Sequence, residues 1–357
     1  MSQSKVSLVF PCWHAAQHMQ HVLEDLQAQT FKDFEAILVN DGDDGQVEAM
    51  EAIAAQDSRI RIVNLPQNSG VAAARNAGTD AVTSEWVTYP DPDDRFGANY
   101  VKSLYEAVDG TDVEMACGGF SKHIVENCGI LHQYINTNGD PKIMDIASGY
   151  ELMLHSGVFS FAWNKLYNVE IMRKNNLRQD LHFQISQDYA FNMIYFTFCK
   201  MVGLVSNCDY IYNHYQNGSN GNRFHPLFFQ YKLEIVGLRE NFHRIIGWPE
   251  SRISEVRQEE ISKESFQYVK RFYAFNSQFS IRDIAKEIKK NYLSQPNIVN
   301  AVKKTDPGKD YIKRIFRFLT KLGSSYTMAI TFRIMFAVRS HFATLYARKR
   351  NLLRGNL

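Results

Sequence analysis

No run of 18–20 uninterrupted apolar residues occurs in this 357-residue chain, so the sequence holds no segment that would cross a bilayer as a helix. The opening stretch, MSQSKVSLVFP, has one lysine and too short an apolar run for a signal peptide. Cysteine is scarce: Cys12, Cys117, Cys128, Cys199 and Cys208 are an odd number, and no two have the spacing of a zinc site or redox motif. A reducing, cytoplasmic compartment is the simplest reading. Neither GxGxxG nor GxxxxGK(S/T) is present, which argues against dinucleotide dehydrogenases and P-loop NTPases. There is no internal repeat and no low-complexity tract. What remains is an aromatic-rich chain long enough for two domains of ordinary size.

Net charge is also small, +2 from 40 Lys and Arg against 38 Asp and Glu, but it is unevenly spread. Residues 311–357 contain ten Lys and Arg and no acidic residue, which leaves the first 310 residues at −8. Within that tail, Tyr311 to Lys321 interleaves cations with bulky apolar residues, and Met328 to Val338 continues the pattern around Arg333. This is the composition of a helix lying in an anionic membrane interface. The competing readings are packing onto the acidic part of the chain or a contact in a homo-oligomer. Nucleic acid is not expected, because no binding motif accompanies the charge.

The first 120 residues alternate between two hydrophobic periods. Strand-like runs at Val6–Phe10, Phe34–Val39, Ile60–Leu65 and Trp86–Tyr89 are separated by helical stretches near 45–56 and 70–82. That alternation predicts an α/β fold with a mainly parallel sheet flanked by helices. From 112 to 215 the texture is mixed, with helical patterns near 148–156 and 188–199. Beyond Gly221 it is mainly helical, with segments near 251–276 and 280–293. The turn cluster Asn217–Asn222 marks the expected boundary, giving domains 1–220 and 221–357.

Ligands of such sheets bind beyond the carboxyl ends of the strands. Polar clusters stand there: Cys12-Trp13-His14, Asn40-Asp41-Gly42 and Asp91-Pro92-Asp93-Asp94. Three carboxylates in four residues suit Mg²⁺ or Mn²⁺, which commonly bridge one or two carboxylates to a diphosphate. The alternative is a solvated loop in which Asp94 caps the next helix. Arg75 sits in a small-residue helix and could fork phosphate or a base edge; taken alone, an alanine-rich helix with a surface Arg75-Asn76 pair is the commoner explanation. His14, His18 and His21 read as a solvated helical face, and His214 as structural.

Taken in order, the motifs resemble the family-2 inverting glycosyltransferases with the GT-A fold. Val6–Pro11, Gln29–Glu35 and Val39–Gly42 are similar to that family's opening strand, QT(Y/F)xxFE stretch and DDG turn. Asn68, Gly70, Ala74, Arg75, Asn76 and Gly78 match NxGxxxARNxG, and Asp91, Asp93 and Asp94 match its aspartate cluster. Trp163-Asn164-Lys165-Leu166-Tyr167 resembles W-x-K-L-Y, and Gln187-Asp188-Tyr189-Ala190-Phe191-Asn192 resembles EDxxFN.

The resemblance implies a Rossmann-like GT-A domain split into a nucleotide-sugar half (1–120) and an acceptor half (121–220). It implies transfer of a hexosyl or N-acetylhexosaminyl group from a UDP-sugar to a glycan or lipid-linked glycan, in assembly of a bacterial surface polysaccharide. Pro11, Trp13 and Asp41 would frame the nucleoside, with Arg75 near the base or phosphates. Asp91 would hold the ribose side, Asp93 would ligate Mn²⁺ or Mg²⁺, and Asp188 would be the catalytic base. Trp163, Lys165 and Gln187 would line the acceptor subsite, unless Trp163 is a core residue. Such an enzyme would work peripherally on the inner face of the cell membrane, docked through 311–357. Three positions depart from the family pattern: Asn40, Pro92, and Gln187 where glutamate is usual. A catalytically degenerate binding protein is one rival. A nucleotidylyltransferase is the other, though Pro11-Cys12-Trp13-His14 is not the glycine-rich basic loop it needs.

Overall fold

The computed structural model describes residues 4–125, 129–135, 137, 141–214, 225–274 and 279–338. The chain divides into two compact units, Met1–Ser219 and Asn220–Leu357. In the first unit the strands are β1 (Val6–Cys12), β2 (Phe34–Asn40), β3 (Ile60–Asn64), β4 (Trp86–Thr88), β5 (Arg95–Phe96) and β6 (Met115–Gly118). They are followed by β7 (Phe120–Ile124), β8 (Gly129–Gln133), β9 (Lys142–Asp145), β10 (Lys165–Asn168), β11 (Met201–Val205) and β12 (Tyr210–His214). Its helices are α1 (Met19–Ala28), α2 (Val47–Ala54), α3 (Val71–Ala81), α4 (Tyr100–Glu106), α5 (Ile146–His155), α6 (Val169–Lys174) and α7 (Gln187–Phe196).

Eight strands form one mixed sheet in the order β3-β2-β1-β4-β10-β6-β11-β9. The first four are parallel, while β10 runs antiparallel to both β4 and β6. A second sheet, β5-β12-β7-β8, brings the Asp91–Asp94 turn against β12 through the Tyr210–Phe96 pairing. Continuous apolar runs account for β1 and β2: covered on both faces, they need no polar alternation. Val6 through Phe10 and Ala36 through Val39 are all buried.

The sequence pattern located β1–β4, α2 and α3, but it missed β5, α4 and most of 120–174. These elements are short, and β8 and β9 carry their apolar residues outward: Ile130, Leu131 and Ile143 are exposed. Alternation against a core is therefore weak there. Cys12, Cys117, Cys199 and Cys208 are free and buried, so they serve as small apolar residues. Cys128 lies outside the described residues.

Two glycines allow the approach of the elements that frame the strand ends. Gly42 adopts φ +71°, and a Cβ there would stand 2.2 Å from the Gln67 backbone, so the β2 turn and the loop before α3 could not meet. Gly78 faces β1, where an added Cβ would lie 2.3 Å from Val9 and 3.0 Å from Val39. Small residues on α3 thus let it sit directly on β1 and β2.

The second unit is helical: α8 (Phe228–Ile245), α9 (Glu250–Ala274), α10 (Ile281–Ile288), α11 (Pro296–Lys304), α12 (Tyr311–Leu322) and α13 (325–338). Its core joins Phe229, Tyr268, Phe272, Ile288, Tyr292 and Val302 to Phe316, Leu319, Met328 and Phe332. The first part of the basic tail is therefore built into this unit through its inner face, and is not a detachable extension. Residues 339–357, with Arg339, Arg348, Lys349, Arg350 and Arg354, lie outside the described residues, as does the Asn217–Asn222 cluster. Among the described residues, no helix is long and apolar enough to cross a membrane.

Overpacking the α3–sheet contact should be costly. Gly78→Val is expected to destabilise the first unit by about 1–3 kcal/mol, measured by urea denaturation.

Candidate active site

Arg75, on α3, is the centre of the strand-end cluster. It is 3% exposed, and one terminal nitrogen donates to Asp91 Oδ1 at 2.8 Å while the other donates to Asp188 Oδ1 at 2.5 Å. Only a planar guanidinium can fork two carboxylates this way. Burial alone would favour the neutral arginine, but Asp188 and Asp91 outweigh it and raise its pKa further. The surface Arg75-Asn76 reading is thereby overturned. Asn76 is turned inward as well, exchanging two hydrogen bonds with the Gln179 backbone and so tying α3 to the loop before α7.

The three carboxylates of the turn have different fates. Asp91 faces Arg75, and its backbone N–H donates to the Tyr210 hydroxyl. Burial pushes its carboxyl up to about 6, with Asp93 and Asp188 adding to the rise and Arg75 opposing it. Asp94 is buried and accepts from Tyr210 Oη at 2.7 Å and from the Asn213 N–H at 2.7 Å. Its pKa is raised well above the ordinary range by burial, then by Asp91 and Asp93. It neither caps a helix nor meets solvent, contrary to the loop alternative. Asp93 alone is exposed.

Asp188 lies in the first turn of α7, reached through Ser186 in the left-handed region at φ 60°. A non-glycine residue in that region is a strained position of the kind that gathers at functional sites. The Asp188 Oδ2 accepts from the Ala162 N–H at 3.2 Å, and the side chain keeps 21% exposure. Gln187 is the first residue of the same helix and half-buried.

Asp41 is 2% exposed, and its two oxygens accept from the N–H groups of Ser69 and Gly70 at 2.8 and 2.9 Å. It braces the start of α3, and so the position of Arg75. Pro11 is half-buried near the end of β1, and Trp13 stands 44% exposed beyond it.

Two acceptor-subsite expectations fail. Trp163 is 1% exposed, stacked on Tyr210 with ring centroids 4.3 Å apart. Lys165 is fully buried and donates to the carbonyls of Val158 and Phe161. Burial lowers its pKa, against the pull of Cys117 and Asp188. Together with Asn192, which donates to the carbonyls of Phe159 and Phe161, Lys165 nails down the loop that presents Ala162 to Asp188. These residues support the site from behind and do not line it.

The histidine reading also changes. His21 Nε2 lies 2.9 Å from the Pro92 carbonyl, and His18 is near enough to Asp93 to feel its charge. Burial, then His21, lowers the His18 pKa, with Asp93 opposing. Sequence spacing placed these rings on one helical face but could not show that the face meets the carboxylate turn. Nor could spacing show that Tyr210 and Asn213 hold that turn, from which they stand about 120 positions away.

Donor chemistry bears on the expected divalent ion. Asp93 is a hard oxygen ligand on a turn whose other two carboxylates are already hydrogen-bonded. Among the described residues, no group of three or more His, Cys, Asp and Glu could hold a metal unaided. The arrangement fits an ion that arrives with a diphosphate and takes most of its ligands from phosphate and water.

The sequence pattern of glycosyl transferase family 2 matches residues 7–173. Nearly half of the chain is thus similar to glycosyl transferase family 2. Relatives include the glycosyltransferase EpsJ of Bacillus subtilis, 26% identical over 59% of this chain and 62% of its own length. The cholesterol galactosyltransferase of Borreliella burgdorferi is 28% identical over 59% of this chain and 60% of its own. This chain thus spans about three-fifths of these relatives. In fold it resembles the Staphylococcus aureus TarS fragment 1–349 in its complex with UDP, with a TM-score of 0.58 at 15% identity over 93% of this chain and 91% of that one. The fold is of the GT-A type, as the motifs implied.

Removing the fork should expose how much rests on it. Arg75→Met leaves two carboxylates facing each other, and a loss of about 3–5 kcal/mol is expected in guanidinium denaturation.

Proposed function

We propose that the protein is an inverting glycosyltransferase that moves a hexosyl or N-acetylhexosaminyl group from a UDP-sugar to a hydroxyl of a glycan or lipid-linked glycan. The observation that carries this reading is the pair of partly open carboxylates around one buried arginine. Asp188 lies on the α7 side and the Asp91–Asp93 turn on the sheet side, linked through Arg75.

In this reading residues 1–120 receive the donor. Trp13 offers an exposed face to the nucleobase, Pro11 and Asp41 shape the floor, and Asp91 faces the ribose. Asp93 would hold Mn²⁺ or Mg²⁺, which when bound neutralises the charge of the departing diphosphate. Residues 121–220 receive the acceptor. Asp188 takes the proton of the acceptor hydroxyl as its oxygen bonds to the anomeric carbon and the bond to the diphosphate breaks. A single in-line displacement inverts the carbon, and no covalent enzyme intermediate is required. Arg75 positions Asp188 and couples it to the donor side, while the Ala162 N–H fixes the other oxygen. This leaves Arg75 as a brace between carboxylates where a nucleotide clamp had been expected. An acceptor built on lipid would place the enzyme at the inner face of the cell membrane.

Two substitutions separate the roles. Asp188→Asn is expected to lower transfer by about 10²–10⁴-fold while calorimetry shows UDP binding retained; full transfer by this variant removes Asp188 as the base. Asp93→Ala should abolish the Mn²⁺-dependence of UDP binding, read as the loss of the extra thermal stabilisation that Mn²⁺ confers on the UDP complex. An unchanged Mn²⁺ effect would place the ion elsewhere.

A further inference from the structure

We infer that the outer faces of α12 and α13 form a docking surface for an anionic lipid bilayer. The inference rests on the reading of a membrane-borne acceptor for its purpose, but its evidence lies in the helical unit alone.

Both helices are two-faced. Inward, Phe316, Leu319, Met328 and Phe332 complete the core of the unit. Outward, where a soluble helix would turn polar residues to water, large apolar side chains stand exposed. Phe318 is 60% exposed, Leu322 55%, Tyr326 53%, Ile330 46%, Ile334 58% and Val338 48%. On α13 the last four recur every fourth residue, a stripe along one face. The two helices are joined at Gly323, a left-handed C-cap at φ 69°, so one apolar face follows the other after a short turn. Scattered apolar residues would need no explanation, but six exposed ones on consecutive helices, four of them in one stripe, do.

Charge decides the occupant. Lys313, Arg314, Arg317, Lys321 and Arg333 border the row, and residues 311–338 contain no Asp or Glu. Among the described residues none of these five cations is paired with a carboxylate; Arg314, Arg317 and Arg333 donate only to backbone carbonyls. A second copy of the chain docking through the same face would bring two sets of unpaired cations together, which is unfavourable. An anionic bilayer matches both components, taking the apolar row below the headgroups and the cations at their level.

The test uses the full chain and sucrose-loaded vesicles. Cosedimentation is expected with phosphatidylglycerol–phosphatidylcholine vesicles and not with phosphatidylcholine alone, and it should weaken as salt rises. Phe318→Ser combined with Ile334→Ser should lower the partition coefficient by tenfold or more without shifting the thermal unfolding midpoint, since both side chains are already exposed. Lys313→Gln and Lys321→Gln should each lower it about fivefold. Equal partitioning of the wild type and the Phe318/Ile334 variant would overturn the inference. So would a dimer in sedimentation velocity that those two substitutions abolish while vesicle binding is absent. Because vesicle binding is read without substrates, its loss alongside intact sugar transfer rejects the docking surface and leaves the transferase reading standing.

Discussion

One buried guanidinium organises the first unit. Arg75 has little access to water, and its charge is tolerable only because Asp91 and Asp188 accept from it on two sides. The two carboxylates come from segments nearly a hundred residues apart. Neither would hold its place near the other without a cation between them. The surrounding architecture serves this fork: Gly78 brings α3 onto the sheet, Asp41 braces the helix start, and Asn76 ties the helix to the loop leading into α7.

Around the fork, hydrogen bonding leaves one carboxylate of the strand-end turn uncommitted. Tyr210 and Asn213 hold Asp94, Arg75 holds Asp91, and Asp93 is left facing solvent. A turn with three free aspartates would be a diffuse patch of negative charge. With two of them fixed, a single exposed carboxylate remains at the turn. The aromatic stack of Trp163 on Tyr210 keeps that arrangement rigid, since the tyrosine hydroxyl bridges the Asp91 backbone and the Asp94 side chain.

The helical unit shows a different economy of surface. Its α12 and α13 contribute core residues on one side and unprotected apolar residues with cations on the other. The near-neutral charge of the whole chain conceals this, because an acid excess in the first 310 residues offsets the basic tail.

Hydrophobic period and motif order were enough to determine the α/β class, the opening parallel strands, the family resemblance and the polar clusters at the strand ends. These features are local: each depends on residues close in the chain, so a single sequence displays them. Tertiary structure alone decided what the clusters do. It made Arg75 a brace, Asp94 a buried acceptor, and Trp163 and Lys165 supports in place of acceptor contacts. It also brought His18 and His21 to the carboxylate turn and split residues 311–338 of the basic tail into a core face and an exposed one. Burial and long-range pairing set each of these outcomes, and neither is encoded in the spacing of a motif along the chain.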